Sequence, residues 1–124
     1  MDFVFKQENP DESKRIVESN KIREKYKDRI PVICEKKKTD KINQIDKSKF
    51  LVPMDLTFTQ FSAIIRKKID LDKSKALNLL VMGKDKKQFS ETGDKLMSDI
   101  YEKHKDNDGF LYITYTGEIT WGFM

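Results

Sequence analysis

The hydrophobic and polar positions alternate between helix-like and strand-like segments, in the order helix, helix, strand, strand, helix, strand, helix, strand. A short apolar segment begins with Phe3, Val4 and Phe5 and ends before Pro10, where Asp11 is positioned to cap a second helix. Only a loose apolar stripe follows along that second helix. We therefore expect it to need a partner surface to pack against.

Two strands are predicted next, over residues 29–35 and 49–52. Pro31 lies within the first, and a proline in a strand belongs at a sheet edge or a strand start, so pairing on one side is expected there. The polar, lysine-rich residues 36–47 between the two strands predict a loop, and Pro53 ends the second strand.

The strongest local signal comes directly afterwards. Thr57 and Gln60 have the spacing of a capping box, and Leu56 and Phe61 that of a hydrophobic staple. The apolar stripe that follows consists of Phe58, Phe61, Ile65 and Ile69, with Ile64 beside it. This pattern predicts the central core helix.

The remaining elements complete one α+β domain. Residues 76–82 form an apolar run of strand length, and the polar residues 84–92 predict a loop. Asp94 is positioned to cap a fourth helix that ends near Gly109, and a last strand spans residues 110–115. The pattern predicts helices on one side of a mixed sheet.

Length and composition favour a single charged, soluble domain. The chain has 124 residues, of which 37% are hydrophobic and 37% charged. No apolar run approaches the ~20 residues of a membrane span, and the N-terminus has no secretory pattern. Cys34 is the single cysteine, which excludes an internal disulfide and fits a reducing compartment such as the cytosol.

The net charge of +4 is unevenly distributed along the chain. Residues 1–49 carry 14 Lys and Arg against 10 Asp and Glu, whereas residues 50–124 carry 11 of each. The first part therefore predicts a basic surface for anionic lipid, nucleic acid or acidic peptides, or else a solvated face of mixed sign. Nucleic-acid binding would also need aromatic side chains interleaved with the basic ones.

No catalytic or metal-binding constellation is apparent. His104 is the single histidine and follows a lysine, and the cysteine falls in a predicted strand. No spacing of Cys and His matches a metal site. The aspartate pairs Asp70 with Asp72 and Asp106 with Asp108 are explained by turns or caps. These observations indicate a binding module or a substrate of other enzymes, and not an enzyme.

A glycine close to the C-terminus offers a different kind of chemistry. Gly122 follows Trp121 and a strand-like segment, and a glycine carboxyl is the least hindered acyl group that a chain can present. If Phe123 and Met124 were removed, this carboxyl would be free for transfer. The alternative is a tail that contains one of the five glycines of the chain.

Five segments together resemble the autophagy-related protein 8 family of ubiquitin-like modifiers, which includes GABARAP and light chain 3. They are KYKDRIPVICE at 25–35, KFLVP at 49–53, IRKKI at 65–69, YEKHKD at 101–106 and DGFLYITY at 108–115. The resemblance covers nearly the whole chain. It implies a ubiquitin-like β-grasp with a mixed four-stranded sheet and two additional N-terminal helices. The implied division is a helical extension over 1–27, a core over 28–115 and a tail over 116–124.

The resemblance also implies a use for the tail. Family members are trimmed after a glycine by a cysteine protease, then passed by activating and conjugating enzymes to phosphatidylethanolamine. Gly122 matches that glycine, and Trp121 stands where the family usually has Phe or Tyr. The implied protein has no cofactor, does not bind nucleic acid and is monomeric before conjugation. It is expected in the cytoplasm and on the autophagosomal membrane, or on the membrane of another organelle.

A second implied activity is recognition of peptides with an aromatic residue and, three positions later, an aliphatic one. Such a peptide would add to the edge of the strand at residues 49–52 and fill two pockets roughly 10 Å apart. The aromatic pocket would consist of Glu18, Ile22, Pro31, Ile33, Lys49, Leu51 and Phe110. The aliphatic pocket would consist of Phe50, Val52, Pro53, Leu56, Phe61 and Ile64, with Phe61 and Ile64 equally readable as core. Arg29 and Lys49 would attract acidic residues beside the peptide motif.

The chain departs from the family pattern at a few positions. Lys27 replaces a frequent proline, one residue is added between Pro10 and Ile22, and residues 84–88 replace a proline-containing loop. Trp121 is the departure that bears on trimming, because a larger side chain beside the glycine would slow a protease shaped for Phe or Tyr. An adaptor that binds peptides without being conjugated is therefore the alternative function.

Overall fold

The structure is a computed structural model that describes residues 3–91 and 93–117. Within these residues the helices and strands follow the predicted order, with one additional strand. They are α1 (Val4–Glu8), α2 (Glu12–Lys25), β1 (Arg29–Lys36), β2 (Lys49–Pro53), α3 (Phe58–Lys68), β3 (Asn78–Met82), β4 (Gln88–Ser90), α4 (Met97–His104) and β5 (Leu111–Thr116). The division into 1–27, 28–115 and 116–124 stays a prediction.

The strands form one mixed sheet in the order β2-β1-β5-β3-β4. β1 and β5 are parallel, and the other neighbouring pairs are antiparallel. The fold class is confirmed, but the described sheet has five strands and not four. The additional strand, β4, lies in the segment that we predicted as a polar loop. It spans three residues and Phe89 is its one apolar member, so the sequence carries almost no periodic signal for it.

Pro31 is tolerated in β1 because of where the two ladders begin. β1 is an interior strand, paired with β2 on one side and β5 on the other. The β5 ladder, however, starts with Val32 opposite Leu111, one residue after the proline. Pairing at Pro31 is therefore one-sided, as predicted, although the strand as a whole is not an edge strand.

The sheet is covered by helices on both faces, so the expectation of helices on one side was wrong. On what we call the core face, Val32, Cys34, Leu111 and Ile113 pack with residues of α3 and α4. On what we call the N-terminal face, Ile33 of β1, Tyr112 of β5 and Phe110, which directly precedes β5, pack with residues of α1 and α2. Strands buried on both faces give continuous apolar runs, and the run over residues 30–34 is a signal of this kind that the prediction did not use.

α3 begins as predicted. The Thr57 hydroxyl accepts a hydrogen bond from the Gln60 amide at 3.1 Å, and the Gln60 side chain accepts one from the Thr57 amide at 2.9 Å. Phe61 and Ile65 of this helix are fully buried. The predicted Asp94 cap of α4 was wrong, because the helix begins after Leu96, and the Met97 amide instead donates to the Leu56 carbonyl at 2.8 Å.

A buried polar network joins α2 to the loop that precedes β5. The Asp108 carboxylate is fully buried and accepts from Arg15 Nε at 2.8 Å, the Tyr112 hydroxyl at 2.5 Å and the Phe110 amide at 2.9 Å. The Ser19 hydroxyl donates to the Asp108 carbonyl at 2.6 Å. The next residue, Gly109, has φ +89°, and a Cβ there would collide with the Ser19 side chain.

Candidate functional site

Among residues 3–91 and 93–117, β2 is the outermost strand of the sheet and pairs only with β1, so its other edge is open. Across this pair, the Cys34 amide donates to the Ser48 carbonyl at 2.8 Å and the Met54 amide to the Asp28 carbonyl at 3.0 Å. Hydrogen-bonded and non-hydrogen-bonded pairs alternate in an antiparallel ladder. The backbone groups of Lys49 and Leu51 therefore point outward, away from β1, where a further strand could bond to them.

The residues predicted for an aromatic pocket come together on the N-terminal face beside this edge. Pro31 lies opposite Leu51, and Ile33 lies opposite Lys49. Ile33 and Phe110 are fully buried members of the apolar cluster on this face, and Ile22 of α2 packs against that cluster. Because its deepest members are buried, this set forms the floor of a site and not an open cavity.

The Lys49 side chain lies beside the other residues of the aromatic set. Its ammonium group forms an ion pair with Glu18 of α2 and lies 5.6 Å from the centre of the Phe5 ring. The side chains of Lys49 and Glu18 are 42% and 33% exposed. An ion pair this exposed contributes about 0–1 kcal/mol, so it can open at small cost. Phe5 was not among the predicted pocket residues, because nothing in its local sequence relates it to Lys49.

The residues predicted for an aliphatic pocket lie on the opposite, core face of β2, except Pro53, which alternation places on the same face as Lys49 and Leu51. Phe50 contacts Phe61 edge-to-face with ring centres 5.7 Å apart. Val52 and Phe61 are buried in the main core, and Phe50 and Leu56 pack against it from partly buried positions. Pro53 is half-buried at the end of β2, and Ile64 is 37% exposed. In this set Phe61 is core and Ile64 is accessible.

Arg29 lies at the start of β1 and reaches over the edge strand. Its guanidinium donates to the Leu51 carbonyl at 3.0 Å. A carbonyl oxygen has two lone pairs, so this bond leaves one acceptor position open for an added strand. The contact places a cation directly beside the outward backbone groups of β2.

A carboxylate that we did not predict as functional fixes the end of β5. Asp40 accepts hydrogen bonds from the Gly117 amide at 2.8 Å, from the Ile42 amide at 2.8 Å and from the Thr116 hydroxyl. Burial acts to raise the pKa of Asp40, but these hydrogen bonds outweigh it and hold the pKa below its ordinary value. The predicted site residues Trp121 and Gly122 lie outside the described residues, beyond this fixed point.

Burial shifts the pKa of both the single cysteine and the single histidine. Cys34 is fully buried, and burial raises the pKa of its thiol, which suppresses the reactive thiolate. Burial lowers the pKa of His104, whose ring lies 4.6 Å from that of Phe89. Over residues 3–91 and 93–117, no group of three or more His, Cys, Asp or Glu could hold a metal ion. None of the helices in these ranges is long and apolar enough to cross a membrane.

Comparison with known proteins gives consistent matches over most of the chain. A family model described as "Autophagy protein Atg8 ubiquitin like" matches residues 14–122. Autophagy-related protein 8 of Coccidioides immitis is 53% identical over 118 residues, covering 95% of this chain and 96% of that protein. The Neurospora crassa protein of the same name is also 53% identical, covering 95% and 93%. The crystal structure of Trypanosoma brucei ATG8 superposes with a TM-score of 0.83 at 38% identity, covering 98% of this chain and 100% of that one.

Proposed function

This chain belongs to the Atg8 family of ubiquitin-like autophagy proteins, and from that premise we propose that it is a conjugated modifier and not an enzyme. In this proposal a cysteine protease trims the chain to Gly122, and activating and conjugating enzymes transfer it to phosphatidylethanolamine. The β2 edge then recruits cargo receptors and autophagy machinery to the autophagosomal membrane. The observation that carries the peptide-binding part is an open strand edge with one predicted side-chain set on each face.

Strand addition explains why the two sets lie on opposite faces of β2. A peptide that extends the sheet projects alternate side chains to opposite faces, so residues three positions apart point to different faces roughly 10 Å apart. An aromatic side chain would enter above Ile33 and Phe110, and an aliphatic one beside Phe50 and Ile64. The outward backbone groups of Leu51 and its neighbours would supply the hydrogen bonds.

In this proposal, peptide entry moves Lys49 away from Glu18, with which it forms an ion pair beside the aromatic set. The released ammonium then becomes available to an acidic residue beside the peptide motif. Arg29 lies at the same edge and offers a second cation. Complementary charge of this kind accelerates association and selects acidic flanking sequences more than it raises affinity.

Substitution at Leu51 tests the groove, because this residue contributes both a side chain and an outward amide. Leu51→Ala keeps the amide, whereas Leu51→Pro also removes it without touching the ladder to β1. For the peptide Glu-Glu-Trp-Glu-Glu-Leu we expect Leu51→Pro to bind about fivefold more weakly than Leu51→Ala, since one hydrogen bond contributes about 1 kcal/mol. Calorimetric titration measures both affinities, with thermal unfolding as the folding control.

Two outcomes would contradict strand addition at β2. One is equal affinity of the folded Leu51→Pro and Leu51→Ala variants for this peptide. The other is unchanged binding of a peptide in which alanine replaces both Trp and Leu. Either result would leave the conjugation proposal unaffected, because that proposal concerns the tail.

Conjugation is supported by the position of Gly122 and by the fixed end of β5. Asp40 holds Gly117, and the five further residues to Gly122 reach at most about 18 Å. This length suits entry into a narrow enzyme cleft while the folded domain stays outside. The two acyl chains of phosphatidylethanolamine then anchor the domain, since a single acyl chain gives only marginal membrane binding.

The intact mass of the protein from soluble and membrane fractions of its own cells tests the conjugated modifier against the adaptor. We expect a soluble form that lacks Phe123 and Met124, and a membrane form with phosphatidylethanolamine on Gly122. Full-length protein alone in both fractions would favour the adaptor, for which Trp121 is the motivating feature. The identity of the membrane that carries the conjugate would separate autophagosomes from another organelle.

A further inference from the structure

The positive charge of the protein is concentrated in two short segments. Residues 36–43 and 66–75 together contain nine Lys and Arg against three Asp, a net charge of +6. The whole chain has a net charge of +4, so all the other residues together carry −2. Counted along the sequence, the excess of positive over negative residues falls within residues 1–49. The second basic segment, residues 66–75, lies outside that range.

The fold brings the two segments together at the end of β5. The Asn43 side chain donates to the Ile69 carbonyl at 2.8 Å, and the Lys37 amide donates to the Tyr115 carbonyl at 2.8 Å. A cavity of about 830 Å³ is lined by both segments and by the end of β5, including Lys37, Lys41, Leu71, Lys75 and Gly117. We call residues 36–43 and 66–75 the basic rim.

The acidic groups within the basic rim do not cancel its charge. Asp40 is occupied by the hydrogen bonds to the end of β5. Asp72 accepts bonds from the Ser74 amide at 2.8 Å and its hydroxyl at 2.9 Å, and Asp70 is exposed. The side chains of Lys37, Lys38, Lys41 and Lys75 are exposed, and none of them forms a salt bridge within the described part of the chain.

The covalent geometry of a conjugate would force this end of the domain toward a membrane. Gly117 is held at the basic rim, and Gly122 lies at most about 18 Å further along the chain. If Gly122 is bonded to a lipid headgroup, Gly117 at the border of the rim lies within about that distance of the headgroup. The electrostatic field of anionic lipids extends about one Debye length, or about 8 Å at physiological salt, from the membrane surface. The tether therefore allows the lysines of the rim to come close enough to the membrane to enter this field.

We propose that the basic rim is a binding surface for anionic phospholipid headgroups, which orients the conjugated domain with the end of β5 toward the membrane. This inference rests on the proposed conjugation to phosphatidylethanolamine and adds a second, electrostatic contact to it. The occupant is a lipid surface and not an acidic protein, because the tether brings the rim to the bilayer whichever partner occupies the β2 edge. Dual attachment by a lipid chain and a basic patch is a recognised means of stable anchoring.

The experiment compares two fourfold variants of the full-length, unconjugated chain. The rim variant is Lys37→Gln, Lys38→Gln, Lys41→Gln and Lys75→Gln. The matched control carries the same charge change at exposed lysines outside the rim: Lys14→Gln, Lys21→Gln, Lys27→Gln and Lys103→Gln. Binding is measured by co-flotation with phosphatidylcholine vesicles that contain 0 or 30 mol% phosphatidylserine, at low and at physiological salt.

We expect the chain without substitutions to bind the phosphatidylserine vesicles and to dissociate from them as the salt concentration rises. A lysine at an anionic surface adds roughly fivefold to partitioning, so with at least two of the four in contact the rim variant should lose about 25-fold or more. The control should lose less than about threefold. Equal losses in the two variants, or equal binding to both vesicle compositions, would overturn the proposal.

A second measurement separates a lipid surface from an acidic enzyme surface. The rim variant and the unsubstituted chain, both made without Phe123 and Met124 so that no protease is needed, are incubated with purified activating and conjugating enzymes and vesicles of phosphatidylethanolamine and phosphatidylcholine without anionic lipid. Conjugation at the unmodified rate is expected. A rim variant that is slow on these neutral vesicles would assign the lysines to the enzymes and overturn the lipid proposal. Failure of the unmodified chain to conjugate would instead count against the proposed function, while the flotation result would stand.

Discussion

Gly122→Ala is expected to reduce formation of the phosphatidylethanolamine conjugate by at least about 100-fold, because it places a Cβ beside the carbonyl that must be attacked twice. A protease must first reach this carbonyl, and a lipid amine must later reach it as a thioester. Glycine alone leaves both approaches unhindered. Loss of transition-state access on this scale corresponds to about 2.7 kcal/mol.

Purified enzymes allow the two steps to be measured separately. A full-length Gly122→Ala chain reports trimming, and a Gly122→Ala chain made without Phe123 and Met124 bypasses the protease and reports transfer alone. The matched control is Phe123→Ala, which keeps the glycine and changes a residue that trimming removes. Thermal unfolding of each variant serves as the folding control. Normal lipidation of Gly122→Ala would exclude this glycine as the conjugated residue.

Asp108→Ala is expected to lower the free energy of unfolding by about 3–5 kcal/mol, because it leaves the buried Arg15 without its counter-ion. Asp108 is fully buried and Arg15 is 6% exposed, so water cannot replace the lost carboxylate. Burial acts to lower the pKa of Arg15, but the hydrogen bond to Asp108 outweighs it and raises the pKa. The Tyr112 hydroxyl and Phe110 amide would also lose their acceptor.

Urea denaturation followed by circular dichroism measures this change. Asp108→Asn retains an oxygen for the Phe110 amide but removes the charge, so an intermediate loss is expected. The exposed Asp94 provides the control, and Asp94→Ala should change stability by less than about 0.5 kcal/mol. A loss below about 1 kcal/mol for Asp108→Ala would show that the network contributes little to the fold.

The Asp108 network has a consequence for the peptide site as well as for stability. α2 carries Arg15 and Ser19, which hold it against Asp108, and also Glu18 and Ile22, which border the aromatic set. Loosening α2 would therefore move one side of that site while leaving the outer edge of β2 in place. The contacts that hold α2 against the N-terminal face of the sheet therefore also determine the shape of the proposed groove.

Much of the fold could be read from local sequence because the signals were local. The capping box of Thr57 and Gln60 requires only adjacent residues, and the structure confirms it. β4 was missed because it is held by pairing with β3 and not by its own composition. The Asp94 cap was wrong because contacts from the Leu56 carbonyl, and not from a side chain, satisfy the start of α4.

The candidate site depended less on local signals. Its residues came from resemblance to a family, since Ile33, Phe61 and Phe110 are ordinary core residues by hydrophobicity alone. Their arrangement around the β2 edge depends on which residues of β1 and β2 lie opposite each other. The alternation of apolar and polar residues along a single strand does not reveal this register. Lys49 over Phe5 and Asp40 at Gly117 were beyond prediction, because each contact joins segments far apart in sequence.

The α+β class, the order of the predicted elements and the family all follow from the amino-acid sequence, because periodicity, caps and motifs are properties of neighbouring residues. Two features emerge only in the folded molecule: helices cover both faces of the sheet, and the excess positive charge gathers at the end of β5. The physical reason is the same in both cases. Packing and electrostatic fields depend on distances in space, and segments such as 36–43 and 66–75 become neighbours only when the chain folds.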